Sequence, residues 1–492
     1  MVGAPQTDLI RLVAATELRR LRRSGALAVM AAVLSLLIVA AGLVAWRAEV
    51  AYEAQRQRYG ATVDAQWAAQ PNRHPHRVSH YGYLLFRPRS PLSFFDTGVT
   101  ANTGSTLFLE AHRQNSMNFG EASQADAPLR FGGLSTALVL QLLVPLVVFV
   151  AAAGAVARER EDGTLALVRS QGVSWTAWLG GKVLALTTAA VAMALPGALV
   201  VALALALTRD VPWTADATWR ASALAFAHVA YFAVAAAVGV LVSAVMRTTR
   251  DATLVLVGLW LALWIVVPRV VPAAGSAAHA MPTRAAFEAE VERRTRALGD
   301  SHDPEDEAFA AFKSKTLAEA GVARVEDLPV NYNGVVMMEG ERLTTEAYRG
   351  MRETLAEARR GHERAAAAAA VVSPFLAMRL VSMALAGVDM RYVDDFERQA
   401  EDYRYTLVQH LNGLHAEALT QAEDRYLPGG GEGQAPSRKR IAAEHWQETP
   451  EFAYAPPTIA TSVRDGAPGV AVFAVWLAGL GLALWRLRPA VA

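Results

Sequence analysis

Residues 158–167 read Arg-Glu-Arg-Glu-Asp-Gly-Thr-Leu-Ala-Leu, and this short charged stretch separates two long apolar runs. The apolar runs lie at 134–156 and 183–207. Each has the length of about 20 residues that a helix needs to cross a bilayer. A charged, amphipathic segment between two spans is accessible to a partner at the membrane surface. We therefore expect a soluble protein to bind this segment.

Six apolar runs of the 492-residue chain are long enough to span a membrane. They lie at 26–46, 134–156, 183–207, 221–245, 252–272 and 468–485. With 53% apolar and 19% charged residues, the composition is typical of a membrane protein with a water-exposed part. It predicts a mainly α-helical, polytopic membrane protein. The chain has no cysteine, which excludes disulfides, iron–sulfur clusters and cysteine-ligated zinc.

Basic residues concentrate on one side of these six spans. They precede the first span, occur in the segments at 157–182 and 246–251, and continue into the tail at 486–492. Because basic residues favour the cytoplasmic side of a membrane, we expect both termini to be cytoplasmic. The expected location is the inner membrane of a bacterial cell. The residues concerned are Arg19, Arg20, Arg22, Arg23, Arg158, Arg160, Arg169, Lys182, Arg247, Arg250, Arg486 and Arg488.

Two long segments, at 47–133 and 273–467, then fall on the outer side, together with a short outer loop at 208–220. Runs at 287–294, 343–370 and 391–414 have the composition of helices. They predict a large, mostly helical extracytoplasmic domain. Residues 427–433 are glycine-rich and predict a flexible connector.

The run at 365–387 has the length of a seventh span but carries Arg379. An arginine at mid-bilayer costs about 2.5–3.5 kcal/mol on insertion scales. We therefore interpret this run as a helix that packs in the outer domain or lies on the outer leaflet.

Two segments on the inner side are amphipathic. The first, within residues 1–25, predicts a helix along the inner leaflet with Leu9, Leu12, Val13, Leu18 and Leu21 on one face.

In the second, at 157–182, acidic residues precede a helix start, which the helix dipole favours. Ser174 is placed to cap the following helix. The residues expected to contact the soluble partner are Glu159, Glu161, Asp162, Gly163, Thr164, Leu165 and Leu167.

The stretch at 161–174 resembles the coupling loop of ABC-2 type transporter permeases, which shows Glu-x-Gly-Thr-Leu followed by a hydrophobic pair and a turn. The amphipathic segment before the first span and the six-span layout also match that family. The resemblance implies an ABC-2 type exporter fold and a loop that docks on an ATPase subunit. It further implies two ATPase subunits that carry ATP and Mg²⁺, and a second permease, identical or homologous.

The outer segments are larger than those of ordinary members, and they resemble one branch of these permeases known mainly as a domain of unknown function. The stretches that carry this resemblance are 74–77, 108–114 and 373–377. The resemblance implies export of a cargo that the sequence does not name. Two alternatives remain open: transmission of mechanical work to the outer domain without solute flux, and a membrane-anchored enzyme that acts outside. The outer domain is also a candidate for binding a periplasmic protein.

The chain lacks the glycine-rich phosphate loop Gly-x-x-x-x-Gly-Lys-Ser/Thr, and its nearest stretch, 179–182, has the wrong spacing. We therefore expect no enzyme and no cofactor in this chain, and ATP hydrolysis on a separate subunit. The net charge of +1 gives no indication of nucleic-acid binding.

Histidines outside the coupling segment are weaker candidates for function. His74, His76, His80 and His112 lack a carboxylate at helical spacing, so we expect no metal site there and interpret them as a polar loop core. His228 and Tyr231 lie within the fourth span one turn apart. They are candidates for a translocation path or, alternatively, for an interhelical hydrogen bond.

Overall fold

The structure is a computed structural model that describes residues 6–119, 134–207, 213–424 and 439–486. The predicted connector at 427–433 and Arg488 lie outside the described residues. The helices are α1 (Gln6–Arg22), α2 (Gly25–Ala68), α3 (Pro75–Ser79), α4 (Thr136–Ala153), α5 (Ala157–Glu161), α6 (Thr164–Ser170), α7 (Trp175–Leu207), α8 (Ala215–Val245), α9 (Thr249–Trp260), α10 (Val267–Ala278), α11 (Arg284–Arg296), α12 (Ala310–Ala320), α13 (Tyr332–Ala370), α14 (Pro374–Ala386), α15 (Met390–Ala418), α16 (Glu444–Gln447) and α17 (Ile459–Arg486).

Six stretches of the described residues are long and apolar enough to cross a membrane, which confirms the predicted number of spans. They are Gly25–Ala68, Thr136–Glu161, Trp175–Ala204, Ala215–Val245, Thr249–Gly275 and Ile459–Arg486. The second span is the most enclosed, since α4 packs against α2, α7, α8 and α9. Its side chains are almost all aliphatic or aromatic, so the helix can be surrounded by other helices without burying unpaired charge. The bundle core therefore forms around α4.

The first span belongs to a helix that continues far beyond its apolar part. α2 has 44 residues, and at a rise of about 1.5 Å per residue it is about 66 Å long. A bilayer core is only about 30 Å thick. The predicted span at 26–46 is therefore the first half of one continuous helix, whose second half enters a separate domain. We call the bundle end that carries α1 the proximal end, and the opposite end the distal end.

The fifth span changes its hydrogen-bond pattern halfway along. Between α9 and α10, residues Leu261–Val266 form a π-helical turn. Such a turn displaces backbone carbonyls from the regular ladder. Ser373 compensates here, because its hydroxyl donates to the Leu263 carbonyl oxygen at 2.5 Å. Ser373 also accepts from the Leu376 amide and so caps α14.

The run at 365–387 lies neither in the outer domain alone nor flat on a leaflet, and this part of the sequence interpretation is wrong. Its second half, α14, is wedged among the spans and packs against α17, α8 and α4. The charge of Arg379 was the reason for placing this run outside the bundle, but Arg379 has a partner. Its Nη1 lies 2.9 Å and 3.0 Å from the carboxylate oxygens of Asp96. Asp96 is fully buried. An ion pair with an acid 283 residues away in the chain thus permits a charged helix to enter the bundle.

A separate domain stands on the distal end of the bundle, and we call it the distal domain; within the described part it comprises residues 47–119 and 279–458 apart from α14. It is mostly helical, as predicted, and the runs at 287–294, 343–370 and 391–414 all lie in helices, namely α11, α13 and α15. An antiparallel sheet of β1 (Tyr83–Phe86), β2 (Thr106–Glu110) and β3 (Arg113–Gln114) packs on α15. Phe396 and Ala400 of α15 are fully buried beneath it.

The amphipathic helix α1 packs lengthwise on α7 rather than contacting only lipid. Val13 and Ala14 face α7, whereas Leu12, which was predicted to lie on the same apolar face, is 46% exposed. The closest approach is at Gly181 of α7. A Cβ atom there would lie 2.6 Å from the Cβ of Val13 and 2.9 Å from the carbonyl oxygen of Ile10.

Adjacent glycines in α7 allow a matched test of this contact. We expect Gly181→Ala to lower the midpoint of thermal unfolding in detergent, because the new methyl displaces α1; such overpacking costs about 1–3 kcal/mol. Gly180→Ala is the control, since nothing lies within 4 Å of its added Cβ. There the loss of glycine in a helix stabilises by about 0.5–1 kcal/mol. Midpoints that move in the same direction in both variants would refute the packing of α1 at Gly181.

Candidate functional site

The candidate coupling segment consists of two short helices, α5 and α6, joined by a sharp turn. Gly163 makes the turn with a φ of +72°, a left-handed conformation that residues with a Cβ adopt only at a cost. A second left-handed glycine, Gly172 with a φ of +70°, follows α6. The two glycines therefore fix where α6 begins and ends, and the short helix projects from the proximal end of the bundle.

Hydrogen bonds attach α5 to the fourth span. The Ser243 hydroxyl accepts from the amides of Val156 and Ala157 at 2.9 Å and 3.1 Å and donates to the Ala153 carbonyl at 2.7 Å. Arg160 donates to the carbonyls of Ala244, at 2.7 Å, and Met246, which lie at the C-terminus of α8, where carbonyls have no partner within the helix. The segment thus cannot move without displacing α8.

A buried charge cluster attaches the same segment to α1 and α7. Lys182 of α7 is almost fully buried, and its Nζ lies 2.6 Å from a Glu159 carboxylate oxygen and 3.2 Å from one of Glu17. Glu17 is also paired with Arg20, whose guanidinium donates to the Gly154 carbonyl at 3.1 Å. We call Glu17, Arg20, Glu159 and Lys182 the Lys182 cluster. It joins α1, the end of α4, α5 and α7.

The sequence missed this cluster because it treated Lys182 only as a topology signal and Glu159 only as a partner contact. Nothing local connects them: Glu17 lies 165 residues from Lys182. A lysine that is buried in an apolar helix requires a carboxylate partner. The position of Lys182 directly before the apolar run at 183–207 was the signal in the sequence that could have revealed the cluster. Lys182 is further packed over the Trp178 ring, 4.6 Å from its centroid.

The predicted contact residues divide into two groups in the structure. Glu159 and Leu165 face inward, Glu159 toward Lys182 and Leu165 into the bundle core, which is a correction to their predicted role. Leu167 is 61% exposed. The exposed group consists of Glu161, Asp162, Gly163, Thr164 and Leu167. Within it, Glu161 accepts a hydrogen bond at 2.5 Å from Thr249, which lies at the start of the fifth span.

The predicted cap of the next helix is confirmed. The Ser174 hydroxyl accepts from the Ala177 amide at 3.2 Å, and α7 begins at Trp175. Trp175 and Trp178 stack with ring centroids 4.8 Å apart. The N-terminus of α7 is thus fixed directly beside the Lys182 cluster.

His228 and Tyr231 are both buried, and Tyr231 is hydrogen-bonded to two neighbouring helices. His228 Nδ1 lies 2.8 Å from the Leu224 carbonyl of its own helix. The Tyr231 hydroxyl donates to the Gln141 carbonyl at 2.5 Å and accepts from Trp264 Nε1 at 2.5 Å. These contacts correspond to the interhelical alternative for Tyr231. The translocation-path alternative gains no support from them.

A cavity of about 500 Å³ lies at the distal end of the bundle, between α2, α8 and the distal domain. Its wall combines apolar side chains with charged ones that are paired along their helices: Glu53 with Arg56, and Asp216 with Arg220. Arg220 also donates to the Leu385 carbonyl at 3.1 Å and to Ser462 at 2.9 Å. An amphipathic small molecule would fit the chemistry of such a wall.

The outer histidines form two groups that the sequence did not foresee. His76, His80 and His112 meet His302, and His74 meets His415 and Asp424. Burial and the neighbouring histidines lower the pKa of His76 to about 2, and burial also lowers the pKa of His80. No local spacing in the sequence predicts that His302, His415 and Asp424 lie beside the other histidines, because they come from the second outer segment and approach the first only through the tertiary fold.

The comparisons with known proteins agree with the geometry of the bundle. A family described as "ABC-2 family transporter protein" matches residues 11–296. A family described as "Domain of unknown function (DUF3526)" matches residues 284–455. The first match covers most of α1, the candidate coupling segment and five spans, and the second covers most of the helical part of the distal domain. No match was found among curated proteins.

The Lys182 cluster makes a specific prediction about stability. We expect Lys182→Met to lower the thermal unfolding midpoint strongly, because it leaves the buried Glu17 and the half-buried Glu159 without the ammonium group that both contact; breaking a buried ion pair costs about 3–5 kcal/mol. Adding Glu17→Gln and Glu159→Gln should restore much of the loss, since neither carboxylate then lacks its ammonium partner, and Arg20, which loses Glu17, is partly exposed to water and keeps the Gly154 carbonyl. Unfolding in detergent, followed by circular dichroism, measures the three proteins. If the triple variant is no more stable than Lys182→Met, the ion pairing has no energetic role.

Proposed function

The chain belongs to the ABC-2 family of transporter proteins, and we propose that it is the membrane permease subunit of an ATP-driven exporter. Two separate ABC ATPase subunits supply the energy in this proposal and hold ATP and Mg²⁺. They bind the proximal end in the cytoplasm, and the distal domain stands in the outer compartment of a bacterial inner membrane. A second permease, identical or homologous, completes the complex.

The proposal rests on one observation: α6 is exposed, whereas the base of the segment that carries it is bonded to the spans. Leu167 and Asp162 are accessible, and a short amphipathic helix of this kind can seat in a groove of a soluble partner. The base of the segment is joined to α8 by Ser243 and Arg160, and to α1 and α7 by the Lys182 cluster. A force applied at α6 therefore acts on several spans at once.

Pairing with a second permease is supported by the uneven burial of the spans. α4 is enclosed, whereas the first, fifth and sixth spans expose most of their apolar windows. Such faces contact lipid or another permease. Rigid-body rotation of two subunits at a shared interface is an established way to open and close a route between them. The cavity lined by Asp216 and Arg220 is the candidate contact for cargo on the distal side.

A second function is favoured by the continuity of α2. This helix runs without a break from the bundle into the distal domain. A second connection is made by α14, which is wedged among the spans. Any tilt of the first span would therefore move the distal domain as a lever. The complex would then transmit mechanical work across the membrane without solute flux.

Substitution of Leu167 by Asp tests the docking surface. We expect Leu167→Asp to insert and fold normally but to bind the ATPase at least about tenfold more weakly, because a carboxylate is costly to bury in an apolar groove. Gln171→Asp is the matched control, since it adds the same charge at another exposed position of the same segment. Co-purification of the ATPase with the tagged chain, together with ATP turnover in proteoliposomes, measures the effect. Equal retention by both variants would refute the docking surface.

A label on the distal domain separates the two functions. Gln66 is exposed near the end of α2, and the chain has no cysteine, so Gln66→Cys accepts a single spin label. The distance between labels on two permeases should change when ATP is added to the complex. If it changes while no solute crosses the proteoliposome membrane, the mechanical function is supported. ATP-dependent solute flux supports the exporter. If ATP alters neither the distance between the labels nor the solute flux, both functions are contradicted.

A further inference from the structure

Four histidines converge on the distal domain from distant parts of the chain. His76 lies in α3 and His80 directly after it, His112 lies in the turn between β2 and β3, and His302 lies in the loop before α12. Each can offer one ring nitrogen such that all four lie within 4.8 Å of one another. His76 Nε2 and His80 Nε2 are 3.0 Å apart. We call these four residues the histidine cluster.

Carboxylates orient two of the four rings from outside the cluster. His302 Nδ1 lies 2.9 Å from an Asp300 carboxylate oxygen, and His112 Nδ1 lies 3.3 Å from one of Glu341. Glu341 is itself held by Arg404, at 2.6 Å. A carboxylate on Nδ1 fixes the tautomer that leaves Nε2 as the ligand atom, which is the arrangement found behind metal-binding histidines.

Unpartnered nitrogens provide an independent observation. His112 Nε2 and His76 Nδ1 are buried and have no hydrogen-bond partner in the structure. Burying an imidazole nitrogen without a hydrogen-bond partner destabilises the folded domain. The turn that presents His112 also has an unusual backbone, with a φ of +60° at a residue other than glycine. A metal ion that accepts the lone pair of His112 Nε2 would satisfy that nitrogen.

We propose that the histidine cluster binds one divalent transition-metal ion of the zinc class through four imidazole nitrogens. Imidazole ligands suit zinc, copper and nickel, whereas calcium and magnesium require oxygen. Nitrogens that share a tetrahedral zinc at about 2.0–2.1 Å stand about 3.3 Å apart. The 3.0 Å between His76 and His80 is close to this separation. His302 is half exposed, which leaves a route for the ion to enter.

The ion would act as a clip between the two outer segments. Three of its ligands belong to the first outer segment, and His302 belongs to the second, 190 residues after His112. Because such a site does not exist in the unfolded chain, binding free energy adds to the stability of the folded domain. The role of the ion is therefore structural, and it requires no transport by the bundle.

The second group, at His74, His415 and Asp424, is already closed. Both histidines contact the same carboxylate, His74 Nε2 at 2.9 Å and His415 Nε2 at 2.9 Å, and Asn333 donates to it at 2.5 Å. Burial would raise the pKa of Asp424, but the hydrogen bonds from His415 and His74 hold it well below its usual range. This group ties α3 to α15, and we assign it no ion.

Metal titration of the full-length protein in detergent tests the proposal. After removal of metal with a chelator, Co²⁺ is the probe, because its visible absorption distinguishes tetrahedral from octahedral coordination, and Zn²⁺ should displace it. We expect one equivalent to bind, a tetrahedral spectrum and a higher thermal midpoint. His302→Ala and His80→Ala should each weaken binding at least about tenfold. Asp300→Asn, which alters only the carboxylate behind His302, should weaken it by about 10- to 100-fold.

The matched control replaces two exposed histidines of the same domain, His410 and His445, by Ala. That double variant should bind Co²⁺ like the parent protein. His302 lies in an exposed loop, so its variant should keep the parent's metal-free midpoint, and this separates loss of a ligand from loss of the fold. Absence of saturable binding to the parent protein, or equal affinity in the parent and in His302→Ala and His80→Ala, would overturn the proposal.

Discussion

The buried charge of Lys182 is the constraint on which the proximal end depends. An ammonium group removed from water loses several kcal/mol of solvation, and only close carboxylates offset this loss. Lys182 has two, Glu17 and Glu159, and they come from different helices. The charge can be satisfied only when α1, α5 and α7 stand together. The need to pair the charge of Lys182 therefore fixes the positions of the helices that carry the exposed segment.

The same principle fixes the distal end. There the half-buried cation Arg379 pairs with the buried Asp96, and the buried Arg220 contacts Asp216, Ser462 and the carbonyls at the end of α14. Each arginine reaches from one element to groups on others. Replacing these contacts by apolar packing would be compatible with stability, but it would not specify the seating of α14 among the spans. The two ends are therefore defined by charge, and the middle by apolar packing around α4.

The sequence revealed what depends on local pattern and missed what depends on distant partners. Hydropathy predicted the six spans, helix-forming composition predicted α11, α13 and α15, and a single Ser174 predicted the start of α7. The inward direction of Leu165 was not predictable, because a seven-residue helix shows no clear periodicity. Arg379 was misinterpreted for a different reason, because its partner Asp96 is 283 residues away in the chain. His302 joins His76 only through the tertiary fold, so no spacing rule applies to it.

The separation between the two polar centres favours transmission by rigid bodies over a chain of side chains. The Lys182 cluster lies at the proximal end, and the histidine cluster lies in the distal domain, with the apolar bundle between them. α2 bridges this distance as one helix, and Trp67 near its end donates to the Trp446 carbonyl at 3.0 Å. A tilt of α2 moves the whole distal domain only if that domain is rigid. A metal clip joining the two outer segments would supply that stiffness, since it prevents α3 and the His302 loop from yielding when α2 tilts.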